Sequence, residues 1–190
     1  MKRILFLFIG LSFMIPEKVK AQNHEIQTNM LGLFVNNVSI GYERLMEDKG
    51  WFSNVQYYKN PKSFDYDYTV FSINTEFRFY FRGNDASGFF AGPYLNYAYA
   101  SAPEFDTFLN SNNEYSKVKA TSGGIALGVI TGKKWVHHSG FVFGTNAGIG
   151  RYFSHSVNYS DNYTPSEHIE ELNEVNPFSY RLGINIGYRF

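Results

Sequence analysis

The stretch Val70 to Phe81, VFSINTEFRFYF, decides the fold. Phe71, Ile73, Thr75, Phe77, Phe79 and Phe81 fall on one side, and Ser72, Asn74, Glu76, Arg78 and Tyr80 on the other. Side chains of an extended chain point alternately to two faces, so this is a strand with an apolar and a polar face. Its length is long for a globular strand and suits a tilted crossing of a bilayer. The end of the chain repeats the pattern. Phe178, Tyr180, Leu182, Ile184, Ile186, Tyr188 and Phe190 share one face, and Ser179, Arg181, Gly183, Asn185, Gly187 and Arg189 share the other.

Six more strands fit around these two. The first spans His24 to Phe34, an Asn36-Asn37 turn follows, and the second spans Val38 to Met46. An Asn-Asn pair accepts the positive φ of a tight hairpin. The third runs from Trp51 to Tyr58, the fifth from Phe89 to Ala100, the sixth from Lys119 to Thr131 and the seventh from Phe141 to Phe153. The connections Glu47 to Gly50, Arg82 to Gly88 and Gly132 to Gly140 are short. Those at Lys59 to Tyr68, Ser101 to Ser116 and Ser154 to Asn176 are longer. Short turns at one end and long loops at the other are the asymmetry of outer-membrane barrels with both termini in the periplasm. The expected fold is all-β: an eight-stranded antiparallel up-and-down transmembrane β-barrel. The last strand must pair with the first, because an open sheet edge in hydrocarbon leaves backbone groups unsatisfied.

The chain has 190 residues, room for one domain, and a formal net charge of zero. There is no polybasic face for nucleic acid. No cysteine is present, which excludes disulfides, thiolate metal sites and lipidation through a thiol. Lys2 and Arg3, the apolar run Ile4 to Ile15 and the segment Val19-Lys20-Ala21 read as a secretory leader over 1–21. The barrel domain is then expected over 22–190. No later segment is an apolar run long enough for a helical span.

A soluble lipocalin-like barrel would also alternate. It needs large apolar groups inside, whereas here Gly124, Ala126, Gly128, Gly144, Gly148 and Gly150 fall on the polar face. A barrel of eight strands has a lumen that side chains just fill. Aromatics also gather at strand ends, with Trp51, Phe81, Phe89, Phe141 and Phe190 toward one boundary and Phe71, Tyr99 and Phe178 toward the other. The polar face carries Glu43, Glu76, Arg78 and Arg181, which are costly toward lipid and tolerable inside when paired. These four are expected to form a structural ion-pair network that fills the lumen. A gate or proton path is the functional alternative.

His137-His138-Ser139 has the His-x-Ser spacing of a lipid A deacylase, since a serine nucleophile needs a base. The topology places it in a periplasmic turn, away from the outer leaflet. Ser154-His155-Ser156 lies toward the outside without that spacing. In the last loop, Thr164 as cap, Pro165 and Glu167 start a short helix over 165–175, with Ile169, Leu172 and Val175 on one side and Glu170, Glu171 and Glu174 on the rest. It reads as a lid or as a helical turn that tidies the loop; its carboxylates lack an EF-hand spacing for calcium. Phe64-Asp65-Tyr66-Asp67-Tyr68 and Glu104-Phe105-Asp106 make the outer loops acidic and aromatic, either a recognition surface or a rim meeting lipopolysaccharide.

The strand ending at Phe190 resembles the terminal strand that the assembly machinery reads in outer-membrane barrels. Asn29-Met30-Leu31-Gly32-Leu33, Val38-Ser39-Ile40-Gly41-Tyr42-Glu43-Arg44 and Gly88-Phe89-Phe90-Ala91-Gly92-Pro93-Tyr94 resemble a family of small, OmpA/OmpX-like outer-membrane barrels of unknown function. The resemblance implies location in the outer membrane, contact with its lipids and lipopolysaccharide, assembly through the Phe190 strand, and no catalytic residue or cofactor. No peptidoglycan-binding segment follows the barrel in the chain. The expected role is a non-enzymatic, structural or surface-interaction barrel. A loop-mediated binder of an unidentified surface ligand is the second reading, a lipid A hydrolase the third and a solute channel the fourth.

Overall fold

The computed structural model describes residues 23–60, 67–81, 86–109, 115–159 and 177–190. The leader expected at 1–21 and the helix expected at 165–175 lie outside them. The elements are β1 (His24–Asn29), α1 (Met30–Phe34), β2 (Asn37–Met46), β3 (Lys49–Lys59), β4 (Thr69–Phe81), β5 (Gly88–Leu109), β6 (Tyr115–Val136), β7 (Phe141–Tyr159) and β8 (Phe178–Arg189). All neighbours are antiparallel, and β8 returns to β1, so the sheet is a closed eight-stranded barrel. At closure His24 N donates to Phe190 O at 3.2 Å and Phe190 N to His24 O at 2.8 Å. These residues, the turns after β2 and β6 and the paired Phe81 and Phe89 of β4 and β5 mark the terminal end; the opposite end is the far end.

Two expectations about strand limits are corrected. The first strand stops at Asn29, and Met30–Phe34 is a helical turn rather than strand. Asn29 causes the switch. Its side-chain Oδ1 accepts from Leu31 N at 3.1 Å, capping the helix. The same oxygen accepts from Ile184 N at 3.2 Å, while Nδ2 donates to Leu182 O at 3.1 Å. One amide side chain thus stands in for the next peptide of β1 along the edge of β8. Asn36 then turns the chain with φ at 56°, the left-handed geometry that asparagine tolerates.

The second correction concerns β5, β6 and β7. They run on to Leu109, from Tyr115 and to Tyr159, so most of the connection expected at Ser101 to Ser116 is strand. A register shift between Ala102 and Asp106 interrupts this extension. Strand outside an apolar belt needs only its backbone ladder, so the sequence there shows no alternation to read.

Inside and outside are inverted relative to a soluble protein. Ile40, Val129, Tyr180 and Leu182 are each more than 60 % exposed on the outer surface. Glu25, Glu43, Glu76, Arg78 and Lys134 are buried within. That is the distribution of a barrel whose exterior meets hydrocarbon. Leu45, Tyr80, Phe90, Tyr94 and Ile130 form a small apolar cluster inside. The interior glycines make room for it. Gly128 and Gly150 face each other across β6 and β7. A Cβ on Gly128 would lie 2.5 Å from the Tyr94 ring, and one on Gly150 2.6 Å from its hydroxyl. Tyr94 fills that space and donates its hydroxyl to Ser179 O at 3.0 Å.

Candidate functional site

Alternation in five strands aims charged side chains at one level of the lumen, toward the terminal end. Glu43 of β2 accepts from Gln27 Nε2 at 3.1 Å, Arg78 Nη1 at 2.9 Å, Lys134 Nζ at 3.2 Å and the Tyr80 hydroxyl. Glu76 of β4 accepts from Arg78 Nε at 2.7 Å and from Arg181 Nη1. Glu25 of β1 accepts from Gln27 Nε2 at 2.7 Å, Lys134 Nζ at 3.0 Å and Arg189 Nε at 2.7 Å. The chain Arg189, Glu25, Lys134, Glu43, Arg78, Glu76, Arg181 is therefore continuous across the lumen. The Arg78 guanidinium also lies 3.9 Å from the Phe52 ring centroid and 4.7 Å from that of Phe90. Stacked faces and bonded edges leave it little freedom.

Glu43, Glu76, Arg78 and Arg181, singled out from the sequence, meet in this one cluster. Glu25, Lys134 and Arg189 also belong to it. Arg189 shares the inward parity of Arg181, so the signal was present in β8. Lys134 falls beyond the expected end of the sixth strand but keeps the parity of Gly124, Ala126 and Gly128. Gly50 is part of the same fit, since a Cβ there would lie 2.1 Å from Glu43 Oε1.

Toward the far end the lumen changes from charges to carboxamides. Asn96 Nδ2 donates to Asn74 Oδ1 at 2.6 Å, and the Tyr152 hydroxyl to Asn96 Oδ1 at 3.3 Å. Beside them Asn37, Asn54, Gln56, Asn146 and Asn185 line a cavity of about 120 Å³ with Arg181 at one side. Asn37 Oδ1 and Asn54 Oδ1 are buried with no hydrogen-bond partner among the described residues.

Two serine–histidine pairs occur. His137 Nδ1 lies 2.9 Å from Ser139 Oγ in the exposed turn between β6 and β7, at the terminal end. Ser122 Oγ lies 3.0 Å from His155 Nε2 across β6 and β7 at the far end. The second pair is set by strand register and not by sequence spacing. Among the described residues no carboxylate bonds either histidine, so neither pair has the third group that orients a catalytic imidazole. No group of His, Asp and Glu that would hold a metal ion occurs among the described residues.

A family model described as a protein of unknown function, DUF3575, matches residues 5–190. No curated protein matches the chain. Among solved structures the chain is similar to Neisserial surface protein A, with 14 % identity, 88 % of this chain and 97 % of that one covered, and a TM-score of 0.53. It also matches the Yersinia pestis outer membrane protein Ail, at 13 % identity over 88 % of this chain and 98 % of that one, with a TM-score of 0.43.

Proposed function

We propose that this chain, which belongs to the DUF3575 family of proteins of unknown function, is an outer-membrane barrel that conducts nothing and catalyses nothing. It serves as a rigid structural scaffold and presents a surface at its far end. The observation that carries this reading is the buried ion-pair chain from Arg189 to Arg181, which occupies the lumen from wall to wall. Three carboxylates and four cations held by mutual bonds are expensive to separate, because each would be left charged and unpaired in a poorly hydrated space. A barrel of eight strands has no spare diameter around such a cluster.

The surface role is supported by the far end. There β5 and β6 have 22 residues each against six in β1, so one side of the wall stands above the other. The leader at 1–21 would deliver the chain to the periplasm, the strand ending at Phe190 would engage the assembly machinery, and outer-membrane lipids with lipopolysaccharide would cover the apolar exterior. Planar-bilayer recording tests the closed lumen. The wild-type barrel is expected to give no unitary conductance. Arg78→Leu is expected to lower the urea midpoint of unfolding and still to conduct nothing. A large current from either protein would sink the reading.

A further inference from the structure

The carboxamide cavity toward the far end is not explained by a structural plug. A plug has its polar groups paired, as the charged cluster does: even Arg78 Nη2, which makes no well-aligned hydrogen bond, lies 2.7 Å from Glu76 Oε2. Here Asn54 is 6 % exposed, and its Oδ1 has no partner. Asn37 Oδ1, in the same wall, has none either. Leaving a buried acceptor unpaired costs about 1 to 3 kcal/mol. The cavity measures about 120 Å³, several times the roughly 30 Å³ share of one water in the liquid.

The chemistry of the wall narrows the occupant. Its orphan groups are carboxamide oxygens, and a half-turn of either carboxamide offers its NH2 instead, so the wall suits an occupant that both donates and accepts. A free cation would face the Arg181 guanidinium and a cluster below with four cations to three carboxylates. An anion would find the one cation in the wall, Arg181, already committed to Glu76, and the carboxamides bring no compensating charge. An apolar group would leave every amide in the wall desolvated. An uncharged group with several hydroxyls fits, since each hydroxyl both donates and accepts, as the carboxamides around it do.

The cavity borders the β1–β8 seam. The ladder of β1 covers β8 only from Asn185 to Arg189. Tyr180 and Leu182, above that limit, belong to the cavity wall although they lie on the outer side of the strand, 63 % and 73 % exposed. The cavity therefore lies just behind the edge of β8 next to α1, where the Asn29 side chain bonds Leu182 O and Ile184 N and would have to yield to a headgroup entering there. We propose that this cavity binds one saccharide unit, through hydroxyl bonds to Asn37, Asn54, Gln56 and Asn146. Two sources share this chemistry: a free sugar entering from the far end, and the sugar headgroup of a membrane glycolipid entering at the β1–β8 seam. The inference names a ligand class for the surface role proposed above and rests on that reading for the orientation of the far end.

The test uses the full-length barrel with its side-chain amides labelled, in dodecylphosphocholine so that the detergent carries no sugar. The carboxamide cross-peak of Asn54 is followed by NMR during titration with glucose, galactose, mannose and N-acetylglucosamine. A second arm compares nanodiscs of phosphatidylcholine with nanodiscs containing lipopolysaccharide. The expected result is a saturable shift in one arm, which identifies the source. Asn54→Leu and Gln56→Leu, followed on the Asn146 cross-peak, should weaken that binding at least tenfold. Heat-modified migration on gels checks that each variant is folded, and Gln56→Leu carries the test if Asn54→Leu does not fold. No saturable shift in either arm, or unchanged affinity in the folded variants, overturns the inference and leaves a solvent-filled cavity. Such a null result leaves the non-conducting barrel standing, and a channel current would sink that reading without touching the titration.

Discussion

On β2, Glu43 accepts bonds from Gln27, Arg78, Lys134 and Tyr80; on the neighbouring β3, Asn54 has an oxygen that no described side chain meets. The two residues are built on adjacent strands of one lumen, and they mark two ways of filling it. Toward the terminal end, formal charges pair and close the space. Toward the far end, neutral amides line the space and leave it open. The difference follows from cost. A charge inside a narrow barrel must be paired or the barrel fails, so a charged layer is rigid by necessity. A carboxamide tolerates an exchangeable partner, so an amide layer can host one.

The strongest way to break this comparison is to remove a carboxylate from the charged layer. Glu43→Leu leaves Arg78 and Lys134 each short of a counter-charge, and a loss of about 3 to 5 kcal/mol is expected in urea unfolding followed by tryptophan fluorescence. Combining it with Arg78→Leu should recover part of that loss, which a double-mutant cycle measures. Equal costs for Glu43→Leu and Asn54→Leu would erase the distinction between the layers.

A middle-sized effect is expected at the seam. Asn29→Ala removes the cap of α1 and the bonds to Leu182 O and Ile184 N. The expected cost is about 1 to 3 kcal/mol, with faster amide exchange at Ile184 while the charged layer stays protected. Protection unchanged at Ile184 would show that Asn29 does not hold the edge of β8. The smallest effect is expected outside both layers. Lys117 and Glu104 pair at 2.6 Å but are each 62 % exposed. Lys117→Ala should leave the unfolding midpoint where it is, since solvent screens such a pair.

Much of this was legible in the sequence, for physical reasons. Alternation in β4 and β8 is forced by an apolar exterior and a polar lumen, so strand direction and parity could be read there. Parity alone grouped Glu76 with Arg78 and aligned Arg181 with them. The helical turn at Met30–Phe34 was not read, although Leu31 and Leu33 fall on the inward parity of Glu25 and Gln27 and so break the alternation of the strand. It depends on one Asn29 side chain bonding across to the far end of the sequence. The extensions of β5 to β7 were not legible either, since strand beyond the apolar belt is under no pressure to alternate. The carboxamide cavity draws on β2, β3, β7 and β8, and only strand register brings those residues level.

The shortness of β1 has a consequence for the order in which the barrel assembles. Every other ladder joins strands that neighbour one another along the chain, so each can zip from its own connection at modest entropic cost. Closure instead joins residues separated by nearly the whole chain, the most demanding loop of all, and it does so over the brief run Glu25 to Asn29. The costliest encounter is rewarded by five residue pairs, close to the four of the β1–β2 ladder and far fewer than in the others. The β1–β8 seam should therefore be the last join to form and the first to part.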